Sequence, residues 1–287
     1  KTFPGVKALD HVNFELRSGE VMALLGENGA GKSTLMKILS GVYTKDSGTM
    51  TIFGTEYDNL TPKQAQDVGF AIIHQELNMC RHLSVAENMF LGREKVNGIV
   101  LNDREMEAEA AKILGDLKID IDPRQTVGDL PVSKQQMVEI AKALSIHAKI
   151  LIMDEPTAGL DVEARNEILD MLRAYIAEDE SRSILITSHI STDLESLCDE
   201  LYLIHDGKLI LHEATDAILE QYGILKVSEE QYRTLDQSSI LKVQKENYGY
   251  ACFTNDKKFY QENYPGIVIE KGNIDELITI MIQGEKI

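Results

Sequence analysis

The sequence predicts an α/β fold with a mostly parallel core sheet, an antiparallel β subdomain, a helical subdomain and a small C-terminal α+β tail. Three observations carry this. Val21–Leu25 and Ile150–Met153 are short, continuous apolar runs, the pattern of strands buried on both faces. Strand-like and helix-like segments alternate along the chain, which implies parallel pairing. A glycine-rich stretch, "GENGAGKS", joins the first run to a helical pattern, the arrangement of a phosphate-binding loop.

The bulk properties narrow the function. A chain of 287 residues is long enough for one large domain and a small one. With 43% hydrophobic and 26% charged residues it has the composition of a globular protein, not a disordered one. The net charge of −18 argues against a nucleic-acid protein, which needs a basic face. Cys80, Cys198 and Cys252 are scattered without metal-ligand or CxxC spacing, so a reducing compartment is the default expectation. No apolar run approaches the roughly 20 residues of a membrane-spanning helix. The chain opens on Lys1 with neither methionine nor signal peptide, which fits a sequence trimmed at its front.

"GENGAGKS", Gly26 to Ser33, matches G-x-x-x-x-G-K-[ST] at every fixed position. Gly26, Gly29 and Gly31 allow the backbone to curl so that its N–H groups face phosphate oxygens. The helix that starts near Lys32 turns its positive end towards the same anion. Lys32 supplies a mobile charge, and the Ser33 hydroxyl is a ligand for Mg²⁺. Glu27, Asn28, Ala30 and Thr34 complete the stretch expected to contact nucleotide. Leu35, Ile38 and Leu39 share the helix face, and Gly41 ends it. The fold class sharpens to a P-loop NTPase. The second apolar run ends in "DEP": Asp154 is the expected carboxylate for Mg²⁺, and Glu155 can polarise an attacking water.

Together these motifs resemble the nucleotide-binding subunit of ATP-binding-cassette (ABC) transporters. Gly26–Ser33 is similar to the Walker A motif, "ILIMDEP" to Walker B, and "AGLD" (Ala158 to Asp161) to the D-loop. Gln75 in "AIIHQELN" resembles the Q-loop glutamine, and His189 in "ILITSHI" the switch histidine. Phe3 sits where the family places an adenine-stacking aromatic. The resemblance implies ATP and Mg²⁺ as cofactors. It implies that Gln75 reaches metal, water and the membrane partner, and that His189 contacts the γ-phosphate. Outside that context Gln75 reads as a polar residue after a strand, His189 as a satisfied strand-end histidine, and Phe3 as core.

The signature helix departs from the family. Where Leu-Ser-x-Gly-Gln is usual, this chain has Leu130-Pro131-Val132-Ser133-Lys134. Pro131 removes a hydroxyl and an N–H donor. Ser133 with Gln136 fits a capping box, so the helix is expected to start at Ser133. The resemblance aims this helix end at the γ-phosphate of a second subunit, where Ser133 and Lys134 could replace the missing serine. Two readings follow: an active cassette, or a degenerate one with weak hydrolysis and an active partner.

"FELRSGEVMALLG" and "GTMTIFGTEY" read as strands. Residues from about 84 to 146 read as a helical subdomain, with Met106, Ala110, Ile113 and Leu117 as the core face of its middle helix. Strands return with "ILIMDE", "SILITSH" and "ELYLIHDGKLI". Residues 1–214 would form the ATPase domain and 215–287 an accessory segment. In the latter "SSILKVQKEN" and "GYACFTN" would pair, and "NIDELITIMIQG" would close as a helix capped by Asn273 or Asp275. Its tyrosines (222, 232, 248, 250, 260, 264) read as packing residues, because no basic stripe accompanies them.

The front of the chain resembles ATPases of ribose/galactose-type carbohydrate importers, which usually carry two cassettes. After "IMDEP" it is more similar to single-cassette, exporter-type ATPases. The resemblance implies an ATP-hydrolysing subunit on the cytoplasmic face of a membrane, working with transmembrane permease subunits and a second ATP-binding subunit. An importer would add a substrate-binding protein. A soluble ABC ATPase acting on ribosomes or chromosomes is the remaining alternative, and the basic arms and coiled-coil insertions of that class do not occur.

Overall fold

The structure, a computed structural model, describes residues 1–146, 148–188, 190–271 and 274–284. Two compact units are formed, one by Lys1, 15–21 and 33–188, the other by 2–14, 22–32 and 189–287.

In the first unit, strands Phe70–Ile73, Ile150–Asp154 and Ser183–Thr187 run parallel, with the middle one central; Phe70 and Ser183 both pair with Ile150. Leu151, Ile152, Met153, Ile184, Leu185 and Ile186 are fully buried, which is why these strands read as unbroken apolar runs. Each such side chain contributes roughly 1.5–3 kcal/mol of burial free energy. The shared direction brings three strand ends, at Ile73, Asp154 and Thr187, to one edge of the sheet.

"FELRSGEVMALLG" yields one strand, Val21–Leu25. A turn precedes it, closed by Glu20 N–H to Arg17 O and Arg17 N–H to Glu20 Oε2, with Gly19 at φ 80°. "GTMTIFGTEY" forms a hairpin of Met50–Ile52 and Thr55–Tyr57.

The helical stretch holds Val85–Phe90, Asp103–Asp116 and Val132–Leu144. It also contains a small hairpin, Val96–Asn97 with Val100–Leu101, which periodicity did not announce. On Asp103–Asp116 the buried residues are Met106, Ala110 and Leu114. Ile113 and Leu117, expected in the core, instead line a cleft of about 630 Å³. The i, i+4, i+8 row of Met106, Ala110 and Leu114 drifts about 40° per step around the helix, so the buried stripe is rotated away from Ile113 and Leu117.

Helix Val132–Leu144 corrects the capping expectation. Pro131 is the N-cap and offers no side-chain hydrogen bond; Ser133 already lies inside the helix. Proline's fixed φ suits a helix entry, so the helix starts earlier than a Ser133 cap allows. The end is secured from within: Gln135 Nε2 donates to Leu130 O at 2.8 Å.

In the second unit, Glu200–His205 runs parallel to the Val21–Leu25 strand from Met22 to Leu25, and Lys208–Ala214 folds back antiparallel on it. A four-stranded antiparallel sheet follows, in the order Ile240–Glu246, Gly249–Thr254, Gly223–Val227, Val268–Glu270. The expected pairing of the first two is present. Tyr260 is fully buried among Leu225, Val227, Val243 and Cys252. Tyr260 Oη donates to Asp236 O at 2.6 Å, while Asp236 N–H donates to Tyr264 Oη at 3.0 Å. Tyr232 and Tyr250 stack at 4.4 Å, whereas Tyr248 stays 48% exposed. The last helix is Ile274–Gln283, so Asp275 lies inside it and is not its cap; Asn273 falls outside the described residues. Among the described residues no helix is long and apolar enough to cross a membrane.

Two stability expectations follow. Asn88 is fully buried; it accepts from Cys80 N–H and donates to the carbonyls of Cys80, Leu83 and Ser84. Asn88→Ala strands several buried backbone groups and is expected to cost about 3 kcal/mol in urea unfolding. Glu139 is 8% exposed, with Oε1 accepting from Asn78 N–H at 3.4 Å and Oε2 buried without a hydrogen-bond partner. Burial pushes its carboxyl pKa up. The unfolded group ionises near about 4.3, so its favourable share is complete below that pH and is lost as pH rises through the folded pKa. Glu139→Gln should therefore raise the urea midpoint more at about pH 8 than at about pH 4.

Candidate nucleotide site

The loop Gly26–Lys32 lies in the second unit. Gly26, Gly29 and Gly31 have φ of 146°, 85° and 117°, in or near the left-handed region that glycine alone enters without strain. Gly26 and Gly31 are also constrained by neighbours. A Cβ on Gly26 would run into Ile204 O, and one on Gly31 would sit 2.5 Å from Ala8 O. The loop is tied to the turn after Glu200–His205 by Gly207 N–H to Ala30 O at 3.0 Å. Its outer residues, Glu27, Asn28 and Gly29, are exposed, and Ala30 is buried. Lys32 Nζ folds back to donate to Gly26 O at 2.6 Å and Glu27 O at 3.1 Å. The chain passes from Lys32 into Ser33 and Thr34 on the helix Lys32–Leu39, which buries Leu35, Met36 and Ile38. Leu39 is only half-buried.

The first unit has its own acidic cluster. Asp154 ends its strand; its Oδ2 accepts from Ser33 Oγ at 3.4 Å and its Oδ1 from Thr187 Oγ1 at 2.7 Å. Glu155 follows with φ 51°, an unusual value for a non-glycine residue and the kind of strain that gathers at functional positions. Its N–H is shared between Thr187 O (3.1 Å) and Thr187 Oγ1 (3.0 Å). Gln75 is exposed, two residues beyond Phe70–Ile73, and leaves the sheet at the same edge as Asp154. Asp161 is the N-cap of Val162–Ala177 and accepts from Ala164 N–H at 2.9 Å.

The remaining expected residues are dispersed. Ser133 is half-buried in the first turn of Val132–Leu144. Phe3 ends the two-residue strand Thr2–Phe3, paired with Val6 across a tight hairpin. His189 falls outside the described residues.

The donor set fits the expected groups. A hydroxyl beside a carboxylate, Ser33 with Asp154, offers the hard oxygens that Mg²⁺ prefers, and its other positions suit phosphate and water. Among the described residues no group of three or more His, Cys, Asp or Glu is placed to cage an ion. A glycine-lined loop with an ammonium folded over it suits a polyphosphate. Thr187 was not singled out from the sequence; its signal is a hydroxyl closing the apolar run "SILIT", whose register puts it beside Asp154.

The sequence profile of the ABC transporter family matches residues 9–158, just over half of the chain. A putative ribose/galactose/methyl galactoside import ATP-binding protein of Burkholderia cenocepacia (strain HI2424) is 48% identical over 212 residues, 73% of this chain and 41% of that protein. The galactose/methyl galactoside import ATP-binding protein MglA of Escherichia coli (strain K12) is 46% identical, over 74% of this chain and 42% of its own length. The chain thus spans about two fifths of the length of these curated relatives. Among solved structures, a nucleotide-free ATP-binding cassette from an ABC transporter superposes with a TM-score of 0.67 at 26% identity, covering 75% of this chain and 88% of that one. The glycine loop, the hydroxyl–carboxylate pair and the cassette fold agree with the family profile: this chain belongs to the ABC transporter family.

Proposed function

We propose that the chain is an ATP-binding and ATP-hydrolysing subunit of an ABC transporter, powering sugar import from the cytoplasmic face of a membrane. The observation that carries this reading is Ser33 beside Asp154, with Glu155 next in the chain and the glycine loop directly before Ser33. In this reading Gly26 to Thr34 hold the phosphates of ATP, and Ser33, Asp154 and Gln75 hold Mg²⁺. When bound there, Mg²⁺ would supply positive charge to the phosphoryl group being transferred. Glu155 orients and polarises the attacking water, with His189 assisting, and Phe3 stacks on the adenine. Asp161 and Ser133 face the nucleotide of a second ATP-binding subunit. Residues 1–214 act as the ATPase domain and 215–287 as an accessory segment. Partners are permease subunits and, for an importer, a substrate-binding protein. The relatives named as galactose and ribose import proteins support the substrate class.

A second reading rests on the signature helix. Pro131 at its N-cap gives no side-chain hydrogen bond, so the end offers fewer groups to an anion than the family pattern does. A subunit with weak turnover beside an active partner fits that feature.

The test is Mg-ATP hydrolysis by the purified chain. Lys32→Ala should weaken ATP binding at least tenfold, about 1.4 kcal/mol. Glu155→Gln should keep ATP binding, lose about 100-fold or more of the hydrolysis rate, and accumulate an ATP-bound dimer on size exclusion. Hydrolysis unchanged in Glu155→Gln sinks the catalytic assignment. Binding without turnover in the wild type, with turnover restored by Pro131→Ser and Ser133→Gly together, selects the second reading.

A further inference from the structure

Thr187 is fully buried at the end of Ser183–Thr187, in register with Asp154 on the neighbouring parallel strand. Its hydroxyl uses its donor on one neighbour and an acceptor site on another. It donates to Asp154 Oδ1 at 2.7 Å and accepts from Glu155 N–H at 3.0 Å. A valine would fill the same space in this apolar strand and pack as well, so packing alone does not call for a hydroxyl here. The first bond fixes the rotation of the Asp154 carboxylate and leaves Oδ2 on the side of Ser33. The second bond, with Thr187 O as the other acceptor, holds the Glu155 amide where φ is 51°.

We infer that Thr187 is a positioning residue for the nucleotide site: one hydroxyl sets the metal-facing oxygen of Asp154 and the backbone that aims Glu155. This rests on the proposed function, since it assigns a role within that same site. Thr187 touches neither substrate nor metal in this scheme. It acts through Asp154 and Glu155, so its loss should change metal dependence and turnover rather than the hold on the nucleotide. The Gly26–Lys32 loop grips phosphate through its own backbone and Lys32, and needs nothing from Thr187.

The experiment compares Thr187→Val, Thr187→Ser and the wild type in two measurements. The first is ATP binding with and without Mg²⁺. The second is the Mg²⁺ and ATP dependence of hydrolysis. Thr187→Val is expected to bind metal-free ATP within about twofold of the wild type but to lose most of the tightening Mg²⁺ brings. Its kcat should fall about ten- to a hundredfold with KM for ATP little changed, the scale of a lost hydrogen bond to a charged group. Thr187→Ser should restore most of both. Wild-type Mg²⁺ dependence and kcat in Thr187→Val overturn the inference, as does a serine variant no better than valine. Should Thr187→Val fail to fold, Thr187→Cys, a similar volume with a weak donor, carries the same expectation in milder form. A wild type that binds Mg-ATP without turning it over removes the hydrolysis reading, and the Mg²⁺-binding arm still decides the role of Thr187. A wild type that binds no ATP overturns both.

Discussion

The Asp154 carboxylate is held from two sides by hydroxyls that come from distant points of the chain, Ser33 and Thr187. A carboxylate at the end of a buried strand is costly unless its oxygens are satisfied. Here the groups that satisfy it are those that define the site. Parallel pairing makes this possible. Strands Phe70–Ile73, Ile150–Asp154 and Ser183–Thr187 share one direction, so polar residues closing each apolar run meet at a single edge. The chemistry of the site is therefore tied to strand register. A slip of one residue would turn Thr187 away from Asp154 and send its side chain to the opposite face.

Much of this was legible in the sequence. The phosphate loop can be read from its glycines because only glycine tolerates the backbone they adopt, and because Lys32 and Ser33 follow at fixed spacing. Asp154 and Glu155 can be read because an abrupt charge pair ends an apolar run. The paired strands of the tail, Ile240–Glu246 and Gly249–Thr254, follow from β-rich segments on either side of a short turn. What was illegible depends on three-dimensional partners. Thr187 looks like an ordinary strand residue until its register beside Asp154 is known. The start of Val132–Leu144 was misplaced because a capping-box pattern at Ser133 competed with a proline that enters the helix equally well. The Asp103–Asp116 core stripe was misjudged because period alone does not say which of two adjacent faces meets the protein.

The tail shows how polar aromatics serve a small core. Tyr260 and Tyr264 bring apolar rings against the sheet, and their hydroxyls serve the carbonyl and the amide of the same residue, Asp236. A turn that would otherwise leave backbone groups unpaired is closed by residues that also add bulk to the core. This is why a tyrosine-rich segment without an accompanying basic stripe packs inward, with Tyr248 as the exposed exception.

The unit that carries the phosphate loop is assembled from segments far apart in the chain: 2–14 and 22–32 join 189–287. The loop leans on Ile204 and is bonded to Gly207. A ribosome releasing this protein delivers the glycine loop first and its support nearly two hundred residues later. At about 5–20 residues per second, the loop waits roughly ten to forty seconds before its backing exists. The nascent chain consequently cannot hold its phosphate cradle in final form while the central segment is being made, and nucleotide can stabilise this unit only after the segment that carries Ile204 and Gly207 has been made.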